Sequence, residues 1–417
     1  MKVLYACRLF TGLEHSLYSK NWMPTGVPTI YKIMETLDKA SNVCFILTRK
    51  DDGKGAFSTW FEHNDQVISI NGMNHPFHVL TGDDYFPSWL HGKIRGLLRE
   101  LRQTIQIFRH VRDFKPDIIY VDHANTLAAG MLARFSGIPV IYRVMGVYPS
   151  MREMMNRQDL WSKIIRWSYR APFSLMICSQ DGSGAEKWID QALTGTADKR
   201  LLINGMTLPQ SVSISNEILL KIPNDKIVVM FLGKMETYKG CDDFVAAILA
   251  LEENYKNQIH VLMVGIGNRT KVLKQAVVNA DMQSHFTFID RLPHGEVLEA
   301  HRRADIYVSL NRYGNLSNAN LEAMSVGACM IIPSSDEETG VDIVTDKLID
   351  DDAVVRLPRD DLVDGLVAAI EELCDSPVKR ETLSNNVAKQ AEKFIPTWKQ
   401  RIVTEVKLLE DLANSKG

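Results

Sequence analysis

Residues 305–332 read DIYVSLNRYGNLSNANLEAMSVGACMII: an apolar strand, a polar loop rich in Asn, Ser and Gly, a helix, and a second apolar strand. Short runs of β-branched and aromatic residues favour buried strands, and Asn315, Ser317 and Asn318 are residue types that accept hydrogen bonds from the free N–H groups of a helix start. Strand, helix and strand in that order form the unit from which parallel sheets are built. The same alternation extends in both directions. It predicts strands over 2–7, 43–47, 118–121, 140–143, 175–178 and 201–203 in the first half, and over 227–232, 260–264, 286–289, 306–310 and 329–332 in the second. Between the halves, 205–225 carries prolines and polar residues and reads as a linker. The expected fold is therefore α/β, with two Rossmann-like domains whose parallel sheets face a central cleft: residues 1–206, with a terminal helix 397–417 packing back on them, and residues 207–396. Ligands of such sheets bind beyond the carboxyl ends of the strands.

A chain of 417 residues exceeds what a single core usually organises, which agrees with two domains. Apolar residues at 45% and charged residues at 24% are ordinary for a globular protein. The net charge of −3 argues against wholesale nucleic-acid binding, so charge arguments must be local. The six cysteines are widely spaced, form no C-x-x-C pair and read as reduced core residues. The absence of a leader-like segment and of a long apolar run points to a cytoplasmic location.

Two stretches could carry chemistry. The predicted strand at 227–232 ends in Gly233 and is followed by Lys234 and Lys239, five residues apart on one loop. Two ammonium groups there can stabilise the negative charge of a departing diphosphate, although loop lysines are also commonly just solvated. At the helix beginning near Ser317, free N–H groups and the helix dipole favour an anion. Glu322, one and a half turns in, can accept hydrogen bonds from vicinal hydroxyls such as those of a ribose. A plain capping network made by Asn315, Ser317 and Asn318 is the alternative.

The order GKMETYKG, HVLMVGIGN, FIDRLPHGEVLEAHRRADIYVSL and NLEAMSVGACMII, over about 227–345, resembles the carboxyl half of the GT-B retaining glycosyltransferases of family 4. The resemblance implies that Lys234 and Lys239 contact the donor diphosphate and Glu322 holds the ribose. Backbone amides near Asn318 and Ala319 would meet a phosphate, and the base would lie near 265–268, with Gly265 in the turn, and against Leu292. The family's E-x7-E motif has Gly314 in place of its first glutamate, so the sugar preference does not carry over; Asn315, Ser317 or Asn320 could substitute.

The first half is similar to the same family. Gly26, within PTGVP, matches a glycine-containing turn near the donor phosphate, and LLINGMTLP matches the stretch that ends the first domain. A histidine common after one strand is replaced by Met145, leaving His123 and Arg143 as candidate polar groups at the reacting centre. The resemblance thus implies a hexosyltransferase-type enzyme that uses a UDP- or GDP-linked sugar, with no metal or other cofactor, on a glycan or lipid-linked acceptor in surface polysaccharide or glycoconjugate synthesis. A nucleotide-sugar epimerase and a non-catalytic nucleotide-sugar binder are the rival readings. Residues 93–115 form a basic amphipathic helix, with Ile94, Leu97, Leu98, Leu101, Ile105 and Phe108 at helical spacing and Tyr85, Phe86 and Trp89 nearby. Such a helix suits either a core-facing stripe with a solvated basic face or contact with anionic lipid.

Overall fold

The computed structural model describes residues 1–50, 64–207 and 216–414, so the middle of the expected linker, 208–215, lies outside the described residues. Two parallel-sheet units emerge. The first sheet contains β1 (Lys2–Arg8), β2 (Asn42–Thr48), β3 (Gln66–Ile68), β4 (Phe77–Leu80), β5 (Ile118–Asp122), β6 (Val140–Val144), β7 (Leu175–Gln180) and β8 (Lys199–Ile203), in the order β3-β4-β2-β1-β5-β6-β7-β8. Of these, β3 runs antiparallel to β4. The second contains β9 (Ile227–Leu232), β10 (Ile259–Val264), β11 (Phe286–Ile289), β12 (Ile306–Val308), β13 (Met330–Pro333) and β14 (Val355–Leu357), in the order β11-β10-β9-β12-β13-β14.

The chain divides unevenly between the units. One comprises Met1–Ser179, Trp188–Leu202 and Lys399–Gly417; the other comprises Gln180–Lys187 and Ile203–Trp398. The second sheet is buried on both faces, which is why its strands read as unbroken apolar runs. Val229 and Phe231 of β9 face a cluster with Phe244 and Ile248, whereas Val228 and Met230 face another with Leu321 and Met324. From β9 the chain moves outward through β10 to β11, then returns to the other side of β9 as β12. That reversal opens a crevice at the carboxyl ends of the strands.

The helix Gly92–Phe114 settles the choice between its two faces in an unexpected way. It buries Arg99, Gln103, Thr104, Ile107 and Val111 and leaves Ile94, Leu97, Leu101 and Ile105 exposed. Arg99 is satisfied by Asp83 at 2.7 Å and Glu100 at 2.9 Å. The Gln103 amide donates to the carbonyls of Arg49 and Thr81, both at 2.8 Å. With these partners for Arg99 and Gln103, the polar face can turn inward and the apolar stripe outward. Among the described residues, no helix is long and apolar enough to cross a membrane. All six cysteines are buried thiols outside any disulfide.

Candidate active site

Beyond the carboxyl ends of β9, β10 and β11 lies a cavity of about 380 Å³, lined by Gly233, Lys234, Gly265, Ile266, Arg291 and Leu292 among others. It gathers four of the residues singled out from sequence: Gly233, Lys234, Gly265 and Leu292. Gly265 has φ of +131°, and a Cβ on it would fall 1.9 Å from the Gly233 carbonyl oxygen. The two strand-end turns can lie this close only because residue 265 lacks a side chain.

The loop from Lys234 continues through a short turn, Thr237–Lys239, into the helix Cys241–Ala250. Lys234 is exposed and Lys239 half-buried. Burial draws the Lys239 ammonium below its ordinary proton affinity; Asp181 counteracts this, and Lys234 reinforces it. The loop therefore holds two cations that repel each other, and Asp181, from the segment after β7, attracts one of them, so an arriving anion would relieve the repulsion.

Ser317 caps the helix Asn318–Ser325, and the Asn318 carboxamide oxygen accepts from Asn204 at 2.8 Å. Ser317, Asn318 and Ala319 are partly exposed at this helix start. Glu322 is 9% exposed, and burial raises its carboxyl to about 7, so near neutral pH it is poised between its two protonation states.

Three sequence expectations need correction. Asn315 is fully buried, and its side chain is used up: it accepts from Ser309 at 2.9 Å and donates to Asp342 at 2.8 Å and to the Asn311 carbonyl at 3.1 Å. Asn320 is likewise consumed, accepting from Tyr307 at 2.8 Å and donating to Ser309 at 3.0 Å. Neither can reach a ligand without breaking this network. Arg143 is also wholly enclosed, paired with Glu405 at 3.3 Å and donating to Ser179 at 2.8 Å and to the carbonyls of Ile177 and Val144. Tyr120 donates to the same glutamate, and Arg401 pairs with it at 2.5 Å. Arg143 thus positions β6 and the helix Trp398–Asn414 and is not a catalytic group.

Gly314, where the family motif has a glutamate, shows why no side chain stands there. Its φ is +117°, and a Cβ would lie 2.5 Å from the Asp181 carbonyl oxygen and 2.6 Å from the Ser183 nitrogen. The segment Gln180–Lys187 fills the slot: the Leu316 N–H donates to the Asp181 carbonyl at 3.1 Å, and the Asp342 N–H donates to the Gly182 carbonyl at 2.8 Å. The Asp181 carboxylate accepts from the Ser183 N–H at 3.1 Å, and burial raises its carboxyl to about 6. Sequence reasoning missed Asp181 and Asp342 because each joins the site across a long separation in the chain. The run of Gly, Ser and Asp after β7 was the only signal.

In the first unit, His123 follows β5 in a short turn, its ring stacked on Tyr148 with centroids 6.0 Å apart. Its Nδ1 is buried without a hydrogen-bond partner, and burial lowers its proton affinity. It borders a cavity of about 170 Å³ with Met151, Met154, Trp161 and Ile165 in the walls. Gly26, φ +90°, lies in the turn before the helix Pro28–Ala40 with nothing nearer than 3.7 Å to where its Cβ would be.

Comparisons with known proteins bear on the family and the fold. The family described as Glycosyl transferases group 1 matches residues 217–390. Two uncharacterized glycosyltransferases of Methanocaldococcus jannaschii are similar: MJ1069 at 23% identity over 52% of this chain, and MJ1059 at 22% over 58%. The matches take in 54% and 60% of those relatives, so the chain spans little more than half of their length. Sucrose-phosphate synthase from Thermosynechococcus elongatus superposes with a TM-score of 0.71 at 14% identity, over 99% of each chain. Anabaena HepE, solved in complex with UDP, superposes with a TM-score of 0.65 at 14% identity, over 100% of each chain. Residues 217–390 therefore match the glycosyl transferases group 1 model, and the chain has an α/β fold of two parallel-sheet units like that of GT-B glycosyltransferases.

Proposed function

We propose that the protein is a retaining glycosyltransferase of the family 4 kind. It moves a hexosyl group from a UDP- or GDP-linked sugar to a glycan or lipid-linked acceptor in the cytoplasm, in the synthesis of surface polysaccharide or another glycoconjugate. The observation that carries this reading is the cavity holding Gly233, Lys234, Gly265 and Leu292, which lies on the loop that also carries Lys239, in the same unit as Glu322. A cavity of about 380 Å³ suits a nucleoside in size. HepE has also been solved in complex with UDP-glucose, which supports a nucleotide-sugar donor for this fold.

In this reading the base and ribose occupy the cavity, with Glu322 accepting from ribose hydroxyls and the N–H groups at Asn318 and Ala319 meeting a phosphate. The bond between the sugar's anomeric carbon and the diphosphate oxygen breaks, and its electron pair stays with the diphosphate. Lys234 and Lys239 stabilise that growing charge, so no divalent ion is needed there. The acceptor hydroxyl forms the new bond on the same face of the sugar and passes its proton to the leaving phosphate oxygen. Asp181 takes the part of the carboxylate missing at position 314 and accepts hydrogen bonds from donor-sugar hydroxyls. Ser317 completes the wall beside it.

The acceptor is assigned to the first unit, near His123 and Gly26. The apolar walls beside His123 suit an acceptor with an apolar portion. The exposed stripe of Ile94, Leu97, Leu101 and Ile105, with Trp89 80% exposed and Lys93 and Arg109 beside it, supports peripheral contact with anionic lipid.

The test is thermal stabilisation of the protein by UDP, GDP, ADP, TDP and CDP without added metal, repeated for Lys239→Ala and Glu322→Gln. Stabilisation by one diphosphate that both substitutions weaken is the expected result. No stabilisation by any of them would overturn the reading, and turnover of a nucleotide sugar without any acceptor would identify an epimerase instead.

A further inference from the structure

Away from the strand ends that carry the site, the first unit brings together a thiol and two imidazoles that the reaction does not use. Cys44 is the third residue of β2 and His78 the second of β4, at the amino ends of two neighbouring parallel strands. His123, by contrast, follows the carboxyl end of its strand. In the register of β2 and β4, Phe45 pairs with Phe77 and Ile46 with His78. Phe45 and Phe77 stack at 4.9 Å on one face, so alternation turns Cys44 and His78 to the other. The helix Gly92–Phe114 covers that face and places His110 against His78, with ring centroids 4.5 Å apart. One ligand atom from each of Cys44, His78 and His110 lies within 4.8 Å of the other two.

We propose that Cys44, His78 and His110 form a binding site for one zinc-class divalent cation, separate from the donor site, that fastens the helix Gly92–Phe114 to β2 and β4. One thiolate and two imidazoles form the mixed soft and borderline donor set that zinc takes, in preference to magnesium or calcium. Tetrahedral coordination at Zn–S of about 2.3 Å and Zn–N of about 2.0 Å puts ligand atoms roughly 3.5 Å apart, so closing around an ion needs rotamer shifts of only about 1 Å. The half-burial of both histidines leaves a fourth position open to water or a further ligand. Burial lowers the proton affinity of both imidazoles, which favours the neutral form whose lone pair binds a metal. The Cys44 thiol is held up to about 12 by burial alone; when the metal–sulfur bond forms, its proton passes to solvent. The Asp65 and Asp113 carboxylates make the surroundings of His110 negative, which favours a cation there.

The test uses untagged full-length protein freed of metal by chelator, then titrated with zinc chloride and, separately, cobalt chloride. The expected result is binding of one equivalent, with a thiolate-to-cobalt charge-transfer absorption and a higher melting temperature in zinc. Cys44→Ser should abolish the absorption. His110→Asn, at a half-buried helix position, should weaken zinc binding by more than the roughly 10–100-fold that losing a supporting partner costs. Nucleotide binding should be unchanged in both. No stoichiometric binding by the wild type, or binding and absorption that persist in Cys44→Ser and His110→Asn, would overturn the proposal.

Discussion

Lys239 and Arg143 were both cations that sequence alone could assign to the reacting centre, and the structure sends them to opposite fates. Lys239 sits on a loop between a strand and a helix, half-buried, with Asp181 offsetting only part of its cost. Arg143 sits within a strand, so its side chain projects into a layer, where Glu405 and the carbonyls of Val144 and Ile177 enclose it. The burial that disfavours the Glu405 carboxylate is outweighed by Arg143 and Arg401, which hold its carboxyl below the usual range. A loop leaves a charge incompletely compensated and able to answer a ligand; a strand interior surrounds the charge with a carboxylate and backbone carbonyls and makes it structural.

Stability separates the two most sharply. Arg143→Met leaves Ser179 and the Ile177 and Val144 carbonyls without their buried donor and should cost about 1–3 kcal/mol in urea unfolding, while the folded fraction keeps its nucleotide affinity. Unchanged stability would break the contrast. Lys239→Ala should do the reverse, leaving the melting temperature close to wild type and lowering kcat about 10²–10³-fold with the native donor.

Glu322 sharpens the comparison, because it combines burial with a proposed ligand contact. Its folded-state carboxyl is raised to about 7, so its protonated form contributes stability that is fully present below the unfolded value near 4.5 and lost as pH rises through 7. Glu322→Gln should therefore raise the melting temperature of the ligand-free protein at pH 8, by stability on the order of 2 kcal/mol, and change it little at pH 4. Nucleotide affinity of the wild type should rise from pH 6 to pH 8, a trend the variant lacks.

Asp181 tests the same contrast on the anionic side. Asp181→Asn should weaken a nucleotide sugar about tenfold, the worth of one charge-assisted hydrogen bond, and leave the matching nucleoside diphosphate unaffected. Equal losses for both ligands would place Asp181 with the phosphates instead. The smallest expected effect is on stability in the helix Gly92–Phe114. Leu101→Asp and Ile105→Asp should shift unfolding by no more than about 0.5 kcal/mol, since both residues are exposed, yet reduce sedimentation with anionic vesicles.

Strands whose residues form unbroken apolar runs were legible because both sheet faces are covered. β3, β4 and β14 escaped notice: they are three or four residues long and lie at or next to sheet edges, where Gln66, His78 and Arg356 interrupt any pattern. The strand-end glycines and lysines were also legible, since a turn that approaches another backbone limits residue type locally. The burial of Asn315, the filling of the Gly314 slot and the inward polar face of Gly92–Phe114 were not. Each depends on a partner distant in sequence, namely Asp342, Asp181 and the carbonyls of Arg49 and Thr81, and no local pattern encodes which partner arrives.

The pairing of Tyr120 and Arg143 with Glu405 also bears on how the protein is made. Tyr120 and Glu405 are 285 residues apart, so the first unit waits on a helix that leaves the ribosome after the entire second unit. Until then the nascent first sheet carries a guanidinium with no counter-ion and an uncovered apolar face. Such an intermediate exposes apolar surface, so loss of the helix Trp398–Asn414 should yield aggregation during synthesis instead of a stable shortened protein.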